Sequence, residues 1–272
     1  IRDIYNVPAV GDIRHVLCAM AQDDENHLFS DLMNYRFEGD KDIGGHNLGN
    51  LIFLALMNLT GSFIGAIQAI SKVLKVKGTI VPSTLDIVTL YAMMKDGTLV
   101  RGEKNIPTLD NSIDHVFYQK KVTPYLPAIQ AIENADILIY GIGSLYTSIM
   151  PNLIIKEISE AIQRTTCPHI YFCNAMSQPG ETDNYSMEDH IRAIEKHAFK
   201  NPVDLVVVDQ SYIPQSILDK YANMNSYPIQ VQEKEHSYQI LKRNMIYFDE
   251  KGRIRHDPKA VREVVEEILK AL

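Results

Sequence analysis

Asp136-Ile137-Leu138-Ile139-Tyr140-Gly141-Ile142-Gly143-Ser144-Leu145-Tyr146-Thr147-Ser148 is the stretch that decides the fold. An acidic start, an apolar run and a glycine–hydroxyl turn predict a buried parallel strand that ends in a loop. Gly141 and Gly143 would let backbone amides approach an anion closely. The hydroxyls of Ser144, Thr147 and Ser148 would add donors beside them. Ligands of open α/β sheets sit at such carboxyl ends, so a phosphorylated small molecule is the first expectation. A Gly-X-Gly turn also serves as a plain strand-to-helix connection, so the motif needs neighbours.

Downstream, a βα rhythm supplies them. A helix near Ala128 to Asn134 precedes this strand. A helix near Ile154 to Arg164 precedes a strand His169 to Cys173, and a helix near Met187 to Ala198 precedes a strand Leu205 to Val208. This alternation predicts an α/β, Rossmann-like three-layer fold with a mostly parallel sheet. Asp257 as cap, Pro258 at the first helical position and a stripe of Val261, Val264, Val265, Ile268, Leu269 and Leu272 predict a last helix.

Upstream the pattern is helical. Ile13, Val16, Leu17 and Met20 recur at helical spacing, with Asp12 placed to cap, and Leu28, Leu32, Met33 and Tyr35 suggest a second helix. Gly44-Gly45-His46-Asn47 opens an apolar helix through Leu59, and Ser62 would cap another from Phe63 to Leu74. Between the two regions, roughly 76–120, the period changes. Gly78 to Pro82 reads as extended, Asp96-Gly97 predicts a hairpin with a type I′ turn, and Val116 to Tyr118 gives a short strand. This patch reads as a small antiparallel β elaboration, with 1–272 forming a single domain.

Bulk properties narrow the function. The chain has 272 residues, 46% of them hydrophobic, and a formal net charge of −7. That acidity argues against general nucleic-acid binding, which needs a basic surface. The longest apolar stretch, Leu51 to Met57, is too short to span a bilayer and predicts no membrane insertion. Cys18, Cys167 and Cys173, an odd number without paired spacing, read as reduced thiols of a cytoplasmic protein. Ile1 and the residues after it look like a domain interior, so an N-terminal strand with a glycine-rich loop is expected to be missing.

Three further segments are candidates. In Gly11-Asp12-Ile13-Arg14, Arg14 would grip phosphate and Asp12 would cap or hold a metal; a surface ion pair is the plainer reading. Gly44 to Asn50 offers amide donors with His46, Asn47 and Asn50, and Gly49 inside an apolar helix implies that something approaches the backbone there. Asn174 to Asp183 should lie beside the Gly-Ile-Gly-Ser loop. There Asn174 and Gln178 suit a base or sugar, and Glu181, Thr182 and Asp183 suit ribose hydroxyls or a divalent cation; Pro179-Gly180 is also ordinary turn chemistry. His190 and His197 lack a third ligand in register for zinc.

Taken together these segments resemble the YvcK-type gluconeogenesis factors of the CofD transferase superfamily. The resemblance rests on Gly11-Asp12-Ile13-Arg14, Gly45 to Asn50, Pro82-Ser83-Thr84, Gly102-Glu103-Lys104-Asn105-Ile106, Gly141 to Asn152 and Asn174 to Thr182, and covers nearly the whole chain. It implies a cytoplasmic nucleotide or UDP-sugar binder needed for growth and cell shape on gluconeogenic carbon sources, with no established turnover. The CofD relatives bind a guanine nucleotide and need magnesium. The alternative is therefore a magnesium-dependent CofD-like phospholactate (2-phospho-L-lactate) transferase acting on a nucleotide-activated donor, with Mg2+ as its cofactor. A scaffold acting by protein contact is a third class, and a homo-oligomer is compatible with any of them.

Gly141, Gly143, Ser144 and Thr147 are expected at the phosphate; Asn174, Gln178 and Thr182 at base or sugar; Asp12, Arg14, His46 and Asn50 on a facing wall, with Tyr146 and Asn47 also expected among the ligand-binding residues. The chain departs from the family pattern where the Gly-Gly-Gly-Thr-Gly loop is not present, at His15 for Asn, at Asn47 for Ser and at Ser177 for Thr.

Overall fold

A computed structural model describes residues 10–21, 28–39, 43–109 and 111–272; the Asp12 side chain lies outside the description. The chain divides into two compact units, Ile1–Val88 and Thr89–Leu272.

The first unit is helical: α1 (Gly11–Ala19), α2 (Leu28–Asn34), α3 (Leu48–Thr60) and α4 (Phe63–Val73). Val10, not Asp12, occupies the N-cap of α1, because the helical backbone already starts at Gly11. Asn47 caps α3 by accepting the Asn50 amide at 3.0 Å. Ser62 caps α4 through the Gly65 amide at 2.9 Å, after Gly61 turns the chain in the left-handed region at φ +73°. Leu17, Met33, Phe53, Phe63, Ile67 and Ile70 form the core of this unit, with the rings of Phe53 and Phe63 5.3 Å apart. Among the described residues no single helix is long and apolar enough to cross a membrane.

The second unit holds the sheets. Antiparallel strands β1 (Leu90–Met94), β2 (Leu99–Arg101) and β3 (Ile113–Tyr118) are ordered β2-β1-β3. The hairpin forms where expected, but its turn differs. Only Gly97 has positive φ, at +88°, and the Gly97 amide donates to the Met94 carbonyl at 3.0 Å. This is a type I turn closed by a glycine bulge rather than type I′. Asp96 stabilises it from its side chain by accepting the Thr98 amide at 2.8 Å. Residues 78–82, expected to be extended, form no strand.

After α5 (Leu126–Glu133), the parallel sheet runs in chain order through β4 (Leu138–Tyr140), β5 (His169–Phe172), β6 (Leu205–Asp209) and β7 (Gln239–Arg243). The connecting helices are α6 (Met150–Leu153) and α7 (Lys156–Arg164), α8 (Met187–His197) and α9 (Gln215–Ala222). The helix expected near Ile154 to Arg164 is α7, which starts after Ile155 leaves the helical region, and α6 is a separate short helix before it. β4 is an edge strand with Ile139 exposed, which corrects the expectation of a buried strand. A hairpin, β8 (Ile246–Phe248) and β9 (Ile254–His256), precedes α10 (Pro258–Ala271).

The register explains the layering. Phe172 lies opposite Val207, and Val207 opposite Leu241, so their side chains share one sheet face. Val264 and Ile268 of α10 pack with Phe172 and Val207 there. Tyr171 points to the other face, where its ring meets His190 of α8 at 6.4 Å. Both faces are therefore covered, as a parallel sheet requires. Leu269 and Leu272, counted in the expected stripe of α10, are exposed. Asp257 caps α10 by accepting the Lys259 amide at 2.8 Å. Asp257→Ala is expected to cost about 1 kcal/mol, read as a lower urea midpoint at unchanged slope.

Candidate functional site

A cavity of about 680 Å³ lies in the second unit, where the chain leaves β4 and β5. Its walls include Gly143 and Ser144 after β4, Asn174 and Gln178 after β5, and Arg255 and His256 of β9. Neighbouring parallel strands with polar loops at their carboxyl ends are the geometry in which α/β sheets bind ligands.

The β4 loop enters its helix irregularly. Both Ser148 and Ile149 donate their amides to the Ser144 carbonyl, at 2.9 and 3.0 Å, so Leu145–Ile149 forms a π-turn before α6. Such turns collect at functional sites because they displace side chains from regular helical positions. Gly143 is close-set: a Cβ there would lie 3.1 Å from the Ser148 Cβ. Gly141 has nothing within 4 Å of a virtual Cβ.

Side chains tie the two loops together. Asn174 donates Nδ2 to the Gly143 carbonyl at 3.1 Å, and Gln178 donates Nε2 to Ser144 Oγ at 2.8 Å. Thr147 donates its hydroxyl to Glu181 Oε1 at 3.0 Å. Within the second loop the Gln178 amide donates to Thr182 Oγ1 at 2.9 Å, and the Thr182 amide returns to the Gln178 carbonyl at 2.8 Å. Asp183 accepts the Gly180 amide at 2.8 Å.

Among the expected site residues, the cavity brings together Gly143, Ser144, Asn174 and Gln178. Tyr146 is buried and shares a 2.8 Å hydrogen bond with Tyr185, and burial pushes its phenol pKa well above the ordinary value. Thr147 is engaged by Glu181, and Thr182 is fully buried and closes its own loop.

The remaining expected residues belong to the first unit. Arg14 is buried and donates Nη1 to the Met33 carbonyl at 3.0 Å; burial lowers its pKa. Asn47 acts as the α3 cap, Asn50 donates the capped amide, and His46 is half-buried in the preceding turn. The expected approach at Gly49 has a protein source: a Cβ there would lie 2.3 Å from the Met33 carbonyl oxygen and 2.7 Å from Arg14 Cδ.

Electrostatically the cavity is divided. Burial raises the Glu181 pKa above the ordinary carboxylate value; the Thr147 hydroxyl and the Tyr146 and Thr147 amides oppose that rise. Burial lowers the His256 pKa, favouring the neutral ring, with Asp209 opposing the shift. Arg255 is the cavity's guanidinium, held loosely by Asp249 at 3.9 Å. Four buried side-chain atoms without a hydrogen-bond partner belong to residues of this one cavity: Asn174 Oδ1, Gln178 Oε1, Glu181 Oε2 and His256 Nε2. Buried polar atoms are rarely left unpaired, so four of them in residues of one cavity set this region apart.

Arg255 and His256 escaped the sequence reading because they come from a short hairpin far along the chain with no motif. Gly252, at φ +65° in the tight turn before them, was the available signal. Magnesium prefers an octahedral set of oxygens including one or two carboxylates. Among the described residues no group of three or more acidic, histidine or cysteine side chains is placed to hold a metal ion. Among the described residues lining the cavity Glu181 is the sole carboxylate, and Asp183 accepts the Gly180 amide. These residues do not form a magnesium cage.

Comparison with known proteins agrees with this architecture. Residues 1–246 match the family described as 2-phospho-L-lactate transferase CofD. The chain is 37% identical over 273 residues to the gluconeogenesis factor of Bacillus subtilis, covering 99% of this chain and 86% of that protein. It is 38% identical over 270 residues to a putative gluconeogenesis factor of Nostoc, covering 97% of this chain and 59% of that longer protein. A crystal structure of a Bacillus halodurans protein superposes with a TM-score of 0.91 at 35% identity, covering 97% of this chain and 85% of that one. The chain therefore belongs to the CofD family, in its YvcK-type gluconeogenesis-factor branch.

Proposed function

We propose that this protein is a gluconeogenesis factor that binds a nucleotide or UDP-sugar in the cavity between the β4 and β5 loops. On this reading it supports growth and cell shape on gluconeogenic carbon sources from the cytoplasm. The observation that carries the binding is the single cavity lined by both post-strand loops together with Arg255. The family match over residues 1–246 takes in residues of both units, in keeping with one family domain rather than two. Gly143, Ser144, Asn174 and Gln178 contact the ligand, and Arg255 supplies the charge that a diphosphate needs. Gly141, Tyr146, Thr147 and Thr182 shape the loops, and Asp12, Arg14, His46, Asn47 and Asn50 remain candidates for a second set of contacts.

Calorimetry of the full chain with UDP-sugars and with guanine nucleotides tests the reading. Heat with a UDP-sugar supports it; a guanine nucleotide that binds while no UDP-sugar does rejects the UDP-sugar part in favour of the CofD-like alternative, and heat with neither rejects the reading whole. Arg255→Ala is expected to weaken UDP-sugar binding by at least about tenfold, since a charge-assisted hydrogen bond contributes about 1.5–3 kcal/mol. Unchanged affinity in that variant would remove Arg255 from the site.

A further inference from the structure

The β8–β9 hairpin brings Arg255 and His256 to the cavity, yet it forms a two-stranded sheet of its own. Among the described residues no backbone-to-backbone hydrogen bond joins 246–256 to the rest of the chain. Two side chains of α9 reach it instead. Lys220 donates Nζ to the Lys251 carbonyl at 2.6 Å, at the turn. Tyr221 Oη accepts the Ile254 amide at 2.7 Å, one residue before Arg255. The hairpin ladder explains why Ile254 takes an outside partner. Opposed residues of an antiparallel pair alternate between exchanging backbone bonds and exchanging none. The Asp249 amide donates to the Arg253 carbonyl, and the Asp257 amide to the Met245 carbonyl. By that alternation Tyr247–Arg255 is a bonded pair and Phe248–Ile254 is not. The Ile254 amide therefore points out of the hairpin, towards Tyr221.

We propose that Tyr221 is a positioning residue of this cavity: its hydroxyl holds the Ile254 amide and so fixes where Arg255 meets the phosphates of a ligand. The inference rests on the nucleotide-sugar reading, in which Arg255 supplies the positive charge, and adds the residue that keeps that charge in place. A guanidinium grips phosphate through a planar fork of donors, so its grip depends on position and angle. Asp249, 3.9 Å from Arg255, is too distant to fix it by a hydrogen bond. The place of Arg255 is therefore set by its strand, and the strand is held beside it by Tyr221.

Calorimetry with UDP-glucose and UDP tests it on the full chain, on Tyr221→Phe, on Arg255→Ala, on the double variant and on Lys220→Ala. Thermal melts set a working temperature at which all five are folded. Tyr221→Phe keeps the ring and removes the acceptor, and is expected to weaken binding about three- to tenfold. Arg255→Ala removes what Tyr221 positions, so the double variant should bind within about twofold of Arg255→Ala alone. Lys220→Ala frees the turn rather than the residue beside Arg255, and should bind within about twofold of the parent. Hydrogen exchange at the Ile254 amide reads the bond without any ligand, and should quicken about three- to tenfold in Tyr221→Phe.

Four results overturn the inference while leaving the nucleotide-sugar reading intact. Exchange at Ile254 that matches the parent removes the bond, and parent-like affinity in Tyr221→Phe removes its effect. A double variant whose loss is the product of the two single losses makes Tyr221 a ligand contact independent of Arg255. A loss in Lys220→Ala equal to that in Tyr221→Phe shows that any loosening of the hairpin suffices. If the parent protein binds neither UDP-glucose nor UDP, the reading and the inference fall together.

Discussion

Gly180→Ala is expected to destabilise the second unit by roughly 3–5 kcal/mol. Gly180 adopts φ +76°, where a Cβ is already strained, and that Cβ would stand 2.2 Å from the Pro107 carbonyl oxygen. A backbone oxygen has no rotamer to yield, so the loop itself must move. The same loop holds Gln178 and Glu181 against Ser144 and Thr147, and moving it breaks those bonds. Melting temperature should drop by about 10 °C, at roughly 2–4 °C per kcal/mol for a unit of this size, and UDP-sugar binding should disappear with it. Gly141→Ala is the matched control. With nothing within 4 Å of its Cβ, it should stay within about 0.5 kcal/mol of the parent. A Gly180→Ala protein as stable as the Gly141→Ala protein would show that the loop is not held as described.

Gly49→Ala should be nearly as damaging in the first unit, and here two effects compete. Helix propensity favours alanine by roughly 1 kcal/mol. Against it, the added methyl would overlap the Met33 carbonyl oxygen at 2.3 Å and Arg14 Cδ at 2.7 Å. Relief requires α2 and α3 to separate, which also weakens the bond from Arg14 to Met33 and opens space beside Phe53 and Met33. Overpacking of this kind typically costs 1–3 kcal/mol, and a buried guanidinium that loses its acceptor adds a similar amount. The steric effect should win, giving a net loss of about 2–4 kcal/mol in urea unfolding. A gain in stability would mean that propensity governs and that the close approach is not real.

The legible parts of the fold share one property: they are written in short-range patterns. Ser62 and Asp257 precede apolar helical runs and do cap them. The strands after α7 and α8 are β-branched and aromatic runs, and both fall where their composition puts them. The hairpin was readable from Asp96-Gly97, yet its turn type was not. Asp96 hydrogen-bonds its own loop and keeps negative φ, a choice between turns of similar local energy that neighbouring strand registers decide. β7 and the β8–β9 hairpin passed unnoticed because Gln239 to Arg243 is half polar, as an edge strand tolerates.

For the site the division is sharper. Residue types alone singled out the Gly143-Ser144 turn and the Asn174 to Thr182 loop, although the same glycines and hydroxyls also make plain turns. Which of those groups stay available was settled by folding. Thr147 and Thr182 turned inward to satisfy Glu181 and Gln178, because a buried carboxylate and a buried amide each need partners. Arg255 and His256 joined the cavity only through a hairpin brought beside the sheet, a contact across some eighty residues that no local pattern encodes. Strand and helix identity followed from neighbours in the chain; the polarity of the cavity followed from neighbours in space, because hydrogen-bond partnership depends on distance and not on order.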